Sequence, residues 1–248
     1  FALAFLVISL TDIPENPAQK IEKGEKSQYG PMSFRHFVFG AIAIFIYVGV
    51  EVGIPNVLQK WLQNPELNVL NVSGEGAAAA IAGTVTATYW LLMLVGRLLG
   101  AAVGAKVSAK AMLTTVSGIG LIFVILAIFL NPSTVVGLPV FKGTEGFGIA
   151  EVPVNAALLV LCGLCTSVMW GGIFNLAVEG LGKYTERASG IFMALVCGGG
   201  ILPFVQNLVV DLSGNYLVSY WVVAAGLAFL LFYALVGSKN VNKDIPVE

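Results

Sequence analysis

One acidic residue lies inside an otherwise apolar stretch of the sequence. Glu51 stands within residues 47–56, YVGVEVGIPN, whereas the other acidic residues lie in loops or at the ends of apolar stretches. Inside a membrane an acidic side chain costs about 2.5–3.5 kcal/mol on insertion scales, so it normally faces a polar cavity or a partner. Glu51 therefore predicts a functional site; the alternative is a protonated or hydrogen-bonded structural glutamate between helices.

Two neighbours of Glu51 share its predicted helix face. Tyr47, Glu51 and Pro55 are spaced at i, i+4 and i+8, which places them on one side of a helix. Pro55 removes a backbone donor and loosens the preceding turn, which can expose a carbonyl group to a ligand. The alternative for Pro55 is a packing kink.

Further amide and aromatic side chains lie deep in apolar stretches. Such groups can hydrogen-bond the hydroxyl groups of a sugar and stack on its faces; otherwise they form interhelical hydrogen bonds and interfacial belts. Tyr89 is one of these groups. The candidate substrate-binding residues are Tyr47, Glu51, Asn56, Trp90, Trp170, Asn175, Gln206 and Asn207.

A second group of charged residues is expected at the inner ends of the helices. Arg97 follows Gly96 in a stretch with glycine at every fourth position, a spacing that lets another helix approach closely. Arg97 can snorkel to the interface or pair with Glu179, and Arg187 lies near the same membrane face. The sequence predicts a conformational latch; its gating residues are Gly96, Arg97, Glu179, Lys183 and Arg187.

The sequence offers little for a metal, a cofactor or hydrolytic catalysis. Cys162 and Cys165 have the spacing of a metal site but lie in an apolar helix without partner histidines, so they are predicted to be core residues. Gly198–Gly200, followed by Pro203, predicts a weak point in a helix rather than a phosphate loop, because no lysine follows as a P-loop requires. We expect no cofactor, no metal and no enzymatic activity.

Composition identifies the class of protein that must position these residues. Of 248 residues 57% are hydrophobic and 11% charged, against about 25% charged in a soluble domain, and the mean hydropathy is +0.88. A net charge of −1 leaves no basic face for nucleic acid. These values predict an all-α membrane protein. Apolar stretches long enough to cross the bilayer occur at about 37–59, 79–104, 111–130, 153–178, 189–210 and 218–237.

The remaining segments give boundaries and orientation. Residues 1–10 read as the end of a preceding, truncated helix, 11–36 as a cytoplasmic linker, 37–237 as the bundle and 238–248 as a cytoplasmic tail. Lysine and arginine favour the cytoplasmic side. One side holds Lys20, Lys23, Lys26, Arg35, Arg97, Lys106, Lys110, Lys183, Arg187, Lys239 and Lys243; the other holds Lys60 and Lys142. The similar stretches 53–56 (GIPN) and 172–175 (GIFN) fit two inverted repeats of three helices.

These motifs resemble one family, the fucose permease-like sugar transporters of the major facilitator superfamily. Residues 47–53 resemble its seventh helix, 89–100 its eighth helix and cytoplasmic loop motif, 179–190 the turn between helices ten and eleven, and 199–211 its helix eleven. The resemblance covers nearly the whole chain. It implies the C-terminal half of a twelve-helix transporter, with a missing N-terminal six-helix half as its partner.

The resemblance also implies an activity: alternating-access transport of a hexose or deoxyhexose across the bacterial inner membrane, with a proton as the expected coupling cation. The alternatives are a carrier for a non-sugar polar solute, a membrane-embedded enzyme, and a channel or structural subunit. The residues that an enzyme would need are scarce, because the spans contain one acid and no paired nucleophile and base.

Overall fold

The computed structural model describes residue 11 and residues 29–73, 75–141, 146–242 and 244–247. The predicted truncated helix at 1–10 and most of the predicted linker lie outside the described residues. After a 3-10 turn at Pro31–Ser33, the chain forms α1 (Arg35–Gln63), α2 (Glu75–Gly104), α3 (Ala109–Phe129), β1 (Val135–Phe141), β2 (Phe147–Pro153), α4 (Val154–Thr166), α5 (Met169–Val178), α6 (Thr185–Ala194), α7 (Gly198–Ser213) and α8 (Tyr216–Phe232).

Six helical segments are long and apolar enough to cross a membrane, as predicted. They are Arg35–Gln63, Gly76–Gly104, Ala109–Phe129, Val154–Val178, Gly182–Ser213 and Tyr216–Gly237. Two of them are interrupted. The fourth span is α4 followed by α5, with a break at Ser167 and Val168, and in the fifth a 3-10 turn at Leu195–Cys197 separates α6 from α7. The second interruption lies next to the predicted weak point at Gly198–Gly200.

The first span, α1, forms the centre of the bundle. It packs against α2, α5, α7 and α8, while α3 packs against α4 and α8. Its buried side chains include Ile44, Tyr47 and Ile54, none of which is exposed to solvent. Gly198 permits the close approach of α7, because a β-carbon there would overlap the carbonyl oxygen of Phe45. Functional side chains on α1 can therefore reach neighbours on several sides.

Local sequence explains where two helices begin and end. Gly214 adopts φ +66°, a left-handed conformation that ends α7, and its N–H donates to the Val210 carbonyl. Asn215 then caps α8 by accepting hydrogen bonds from the backbone of Leu217 and Val218. The two helices are thus joined by a two-residue turn, which holds them side by side.

A β-hairpin follows α3; it was not predicted, since the expected fold was all-α. Strands β1 and β2 pair antiparallel, with Leu138 opposite Ala150. Buried and exposed residues alternate along β1, and the Phe141 N–H donates to the hydroxyl of Thr88 on α2. The membrane-spanning part remains all-α.

Candidate functional site

Glu51 forms an ion pair with Arg97. The Arg97 Nη2 and the Glu51 Oε1 are 3.2 Å apart; the carboxylate side chain is 12% exposed and the guanidinium side chain 54%. Both residues lie within the spans α1 and α2, so the pair offsets the cost of placing an acid there. The expected pairing of Arg97 with Glu179 is wrong in this structure, because α2 runs beside α1 and the long arginine side chain reaches Glu51.

The face of α1 shared by Tyr47, Glu51 and Pro55 is directed into the protein. Tyr47 and Pro55 are buried, and Glu51 is partly buried. The Tyr47 hydroxyl is buried and makes no hydrogen bond of regular geometry within the described residues. It lies close enough to the Glu51 carboxylate to interact with it, so the turn that presents Glu51 also presents a phenol one helical turn away.

The missing backbone donor of Pro55 has a defined consequence. In a regular helix the N–H of residue 55 would donate to the carbonyl of Glu51. Here the Tyr89 hydroxyl donates to that carbonyl at 3.1 Å. The Tyr89 oxygen also lies 3.1 Å from the hydroxyl oxygen of Thr166 at the end of α4. The carbonyl that Pro55 was expected to expose to a ligand is therefore occupied by a side chain of α2.

A second polar cluster surrounds Asn207 on α7. Its Nδ2 donates to Asn56 Oδ1 at 3.1 Å and to the Pro203 carbonyl at 2.7 Å, while its Oδ1 accepts from Lys60 Nζ at 2.8 Å. Asn56 follows Glu51 by five residues, which turns it about 140° around α1. The predicted substrate-binding amides near α7 therefore form a cluster separate from the ion pair.

Gln206 lies deeper than Asn207 and is buried. Its Nε2 is 3.4 Å from the hydroxyl of Ser219 on α8. Its Oε1 faces the backbone of Gly53, where an added β-carbon would lie only 2.5 Å away. Gln206 thus joins α7, α8 and α1, as expected of an interhelical amide.

The remaining predicted substrate-binding residues lie apart from each other. Trp90 is 40% exposed and precedes Arg97 by two helical turns, on the same side of α2. Trp170 stacks on Phe174, with ring centroids 5.4 Å apart. Asn175 is exposed and lines a cavity of about 310 Å³ together with Arg97. Arg97 is therefore the residue that connects the Glu51 pair with Asn175.

The glycine strip of α2 packs against the break in the fourth span. A β-carbon on Gly96 would overlap the Ser167 side chain, and one on Gly100 would overlap Val168. These contacts confirm the close approach expected from the glycine spacing. They also bring the α4–α5 break beside Arg97, along the wall of the same cavity.

The predicted gating residues of the fourth and fifth spans lie at one end of the bundle. Glu179 follows α5 directly, and its side chain is exposed, as are those of Lys183 and Arg187. The Glu179 carbonyl accepts a hydrogen bond from the buried His36 Nε2 at 2.9 Å. The N–H of Lys183 donates to the carbonyl of Val247 in the C-terminal segment. Main-chain bonds therefore fix this end to α1 and to the tail.

No metal centre is found in the part of the chain that the structure describes, since no three His, Cys, Asp or Glu side chains come together there. Cys162 and Cys165 are free and buried in α4. The Cys162 Sγ donates to the carbonyl of Leu158 in the same helix. Both thiols are packing residues of the bundle.

Three residues near the candidate site were missed as site residues by the sequence analysis: Lys60, Tyr89 and Thr166. Tyr89 was recognised as a polar group in an apolar stretch, but nothing in its own helix indicates that it reaches Glu51. A signal was present in Pro55, whose missing N–H requires a donor from another helix. Lys60 was counted only as an outer charge, although its side chain reaches Asn207.

No protein-family model matches the chain. It is 30% identical over 239 residues to a glucose/galactose transporter of Brucella abortus, and 30% identical over 242 residues to a putative glucose/galactose transporter of Helicobacter pylori strain J99. These matches cover 96% of this chain but 50% and 52% of the relatives. It is 21% identical over 249 residues to the L-fucose-proton symporter of Escherichia coli, covering 97% of this chain and 50% of that protein. The chain thus spans about half the length of the curated relatives it matches.

The fold matches a solved transporter structure. The crystal structure of the Major Facilitator Superfamily transporter FucP, in the outward conformation, superposes with a TM-score of 0.72 over 96% of this chain and 52% of that one, at 21% identity. With six helices that can cross a membrane, this match confirms a multi-pass membrane protein and the predicted fold. The chain has the fold of the C-terminal half of a Major Facilitator Superfamily transporter, and the glucose/galactose transporters are its relatives.

Proposed function

We propose that the chain is the C-terminal half of a secondary transporter that moves a hexose or deoxyhexose by alternating access. The observation that carries the proposal is the Glu51–Arg97 ion pair inside the spans, beside the buried hydroxyl of Tyr47. A carboxylate, a guanidinium and a phenol together offer acceptors and donors for vicinal hydroxyl groups. The named substrates of the relatives, glucose, galactose and fucose, support the same class of solute.

Trp90 and Asn175 complete the proposed sugar site. Trp90 presents a partly exposed ring on the side of α2 that carries Arg97, and such a ring can stack on the apolar face of a pyranose. Asn175 lines a cavity together with Arg97, and we assign it to the site because of this shared cavity. The separate Asn56–Asn207 cluster, with Gln206 and Trp170, is assigned to other parts of the path between the two membrane faces.

The proposed coupling ion is a proton, and the proposed location is the bacterial inner membrane with the linker and tail in the cytoplasm. A proton symporter among the relatives supports the first assignment. The distribution of lysine and arginine supports the second. In the same scheme Gly96, Arg97, Glu179, Lys183 and Arg187 form or support the inner gate.

Counterflow in proteoliposomes tests the sugar assignment. The full-length transporter that contains this chain should exchange labelled for unlabelled glucose, galactose or fucose. Glu51→Gln should raise the half-saturating sugar concentration by about ten-fold or more, because a charged hydrogen bond to the sugar is lost. Glu66→Gln, the same change at an exposed loop position, should leave exchange unchanged. Unaltered exchange in Glu51→Gln would contradict the assigned role, and absence of exchange with every hexose would remove sugars as substrates.

The coupling ion is tested in the same vesicles. An inward proton gradient should drive accumulation of the exchanged sugar, and a protonophore should abolish accumulation while leaving counterflow intact. Accumulation that depends on sodium and persists with the protonophore would replace the proton by sodium.

A further inference from the structure

We propose that Tyr89 is a positioning residue: its hydroxyl supplies the hydrogen bond that Pro55 withholds from the Glu51 carbonyl, and so holds the turn that presents the Glu51 carboxylate. The inference rests on the proposed function of Glu51, and it concerns a residue that does not itself touch the sugar.

The acceptor of the proposed bond is the Glu51 carbonyl. Pro55 lies in the interior of α1 and has no N–H, so the Glu51 carbonyl lacks its helical donor. Proline is tolerated in a spanning helix when a neighbouring group satisfies the freed carbonyl. Tyr89 is that neighbour, at 3.1 Å.

The donor, the Tyr89 hydroxyl, is held rigidly. Tyr89 is completely buried, and its hydroxyl oxygen also lies 3.1 Å from the Thr166 hydroxyl. Its backbone is held by α4, because Gly163 packs so closely that a β-carbon there would lie 2.5 Å from the Tyr89 carbonyl oxygen. The donor is therefore fixed by two contacts to the fourth span, next to the break before α5.

The Tyr89 bond to the Glu51 carbonyl controls the orientation of the Glu51 carboxylate. The side chain of Glu51 faces Arg97 while its carbonyl faces Tyr89, and both partners belong to α2. Without the Tyr89 bond the carbonyl would have to turn toward another donor, and the Glu51 side chain would turn with it. The alignment of the Glu51 carboxylate on Arg97 thus depends on the hydroxyl of Tyr89, which precedes Arg97 by eight residues in α2.

A matched control is provided by another carbonyl group of α1, that of Ile54. The Tyr220 hydroxyl donates to the carbonyl of Ile54 at 2.9 Å and is equally buried. The Ile54 carbonyl, however, has the N–H of Leu58 as its regular helical donor. Removing the Tyr220 hydroxyl leaves that carbonyl satisfied, whereas removing the Tyr89 hydroxyl leaves the Glu51 carbonyl without a donor.

The experiment compares four variants of the full-length transporter with the wild type: Tyr89→Phe, Tyr220→Phe, Pro55→Ala, and Tyr89→Phe combined with Pro55→Ala. Pro55→Ala restores the N–H and therefore the regular donor to the Glu51 carbonyl. In counterflow, Tyr89→Phe should raise the half-saturating sugar concentration about ten-fold. Tyr220→Phe should leave it near the wild-type value. In the Pro55→Ala background, Tyr89→Phe should have little effect.

The proposal is overturned if Tyr89→Phe leaves the half-saturating concentration unchanged, or if it is equally harmful with and without Pro55→Ala. The second result would assign Tyr89 a direct contact with sugar or a purely structural role. A readout without sugar keeps this test separate from the proposed function. Backbone hydrogen exchange in α1 between residues 51 and 58 should accelerate in Tyr89→Phe and return toward the control rate in the double variant, whether or not a hexose is transported.

Discussion

At the scale of single residues, Glu51 is held by both its side chain and its main chain. Its carboxylate pairs with Arg97 and its carbonyl accepts from Tyr89. Two independent bonds to one neighbouring helix restrict the carboxylate more strongly than either bond alone. Such restriction is what a binding site requires, since a ligand then does not have to order the group that it contacts.

The Glu51–Arg97 pair leads to a prediction about the interaction free energy between the two side chains. Arg97→Gln should weaken sugar exchange and lower the melting temperature, because it leaves a mostly buried carboxylate without its cation. Adding Glu51→Gln should recover part of the lost stability. The coupling free energy should be only about 1 kcal/mol or less, since the guanidinium is more than half exposed.

Thermal unfolding of the two single variants and the double variant measures this coupling. Lys106→Gln, at an exposed position just after α2, is the control for loss of a positive charge on this side. Strictly additive losses would show that the two side chains do not interact in solution.

At the scale of helices and strands, the sequence predicts spans better than it predicts their interruptions. The six apolar stretches are visible because lipid requires long runs of apolar residues. The break at Ser167 and Val168 gives no such signal, because its residues also occur in helices. In the structure the Ser167 hydroxyl donates to the Leu164 carbonyl, a local bond that competes with the regular helical bonds. The fifth span differs, since Gly198–Gly200 and Pro203 weaken the helix by their own properties.

The hairpin and the Arg97 pairing show two other reasons why sequence analysis fell short. Residues 135–141 alternate in burial, but the strand contains Pro139, which is uncommon inside a strand, so the usual sequence signal of a strand is weakened. Arg97 was placed near Glu179 by counting residues from the cytoplasmic ends. Such counting ignores the length of the arginine side chain and the rotation of each helix, which decide which side chains meet.

Helix packing leads to a prediction about two glycines of α7. Gly198→Ala should destabilise the protein by about 1–3 kcal/mol, because the added β-carbon overlaps the Phe45 carbonyl of α1. Gly200→Ala, two residues further along, has no atom within 4 Å of the new carbon and should be neutral or slightly stabilising. Thermal unfolding in detergent compares the two variants. Equal melting temperatures would mean that α7 can move away from α1 without cost.

At the scale of the whole molecule, the alternation of loops across the membrane can be measured. Residue 133 lies between the third and fourth spans and residue 239 after the sixth, so three crossings separate them. Both positions are exposed. The charge distribution predicts that Ser133 is outside and Lys239 inside.

Cysteine labelling checks this arrangement in intact cells. Cys197 is exposed and is first replaced by serine, whereas Cys162 and Cys165 are buried. A membrane-impermeant maleimide should label Ser133→Cys directly and Lys239→Cys only after permeabilisation. The reverse pattern would invert the proposed orientation, and labelling of both on one side would contradict the span count.

The exposure of Arg97 bears on how this chain works within a larger assembly. A charged side chain that is 54% exposed within a membrane span is placed against water, against protein or at the polar interface, to which a long arginine side chain can extend. Trp90 lies on the same side of α2, together with the exposed side chains of Leu94 and Leu98, so nothing within the described residues covers this side of the helix. The chain spans about half the length of its relatives. We therefore propose that a second set of six helices covers this side of the bundle.

We therefore predict that sugar exchange requires both halves, even when they are separate polypeptides. This chain co-expressed with the other six-helix half should co-purify with it and restore counterflow, because the Arg97 side of the bundle then faces a water-filled cavity instead of lipid or detergent. The chain alone should insert, show no counterflow, and unfold at a lower temperature than the assembled pair. A pair assembled with Glu51→Gln should form equally well but exchange sugar poorly, which separates assembly from binding. Exchange at the full rate by the chain alone would place the entire transport path within these six helices and remove the requirement for a second half.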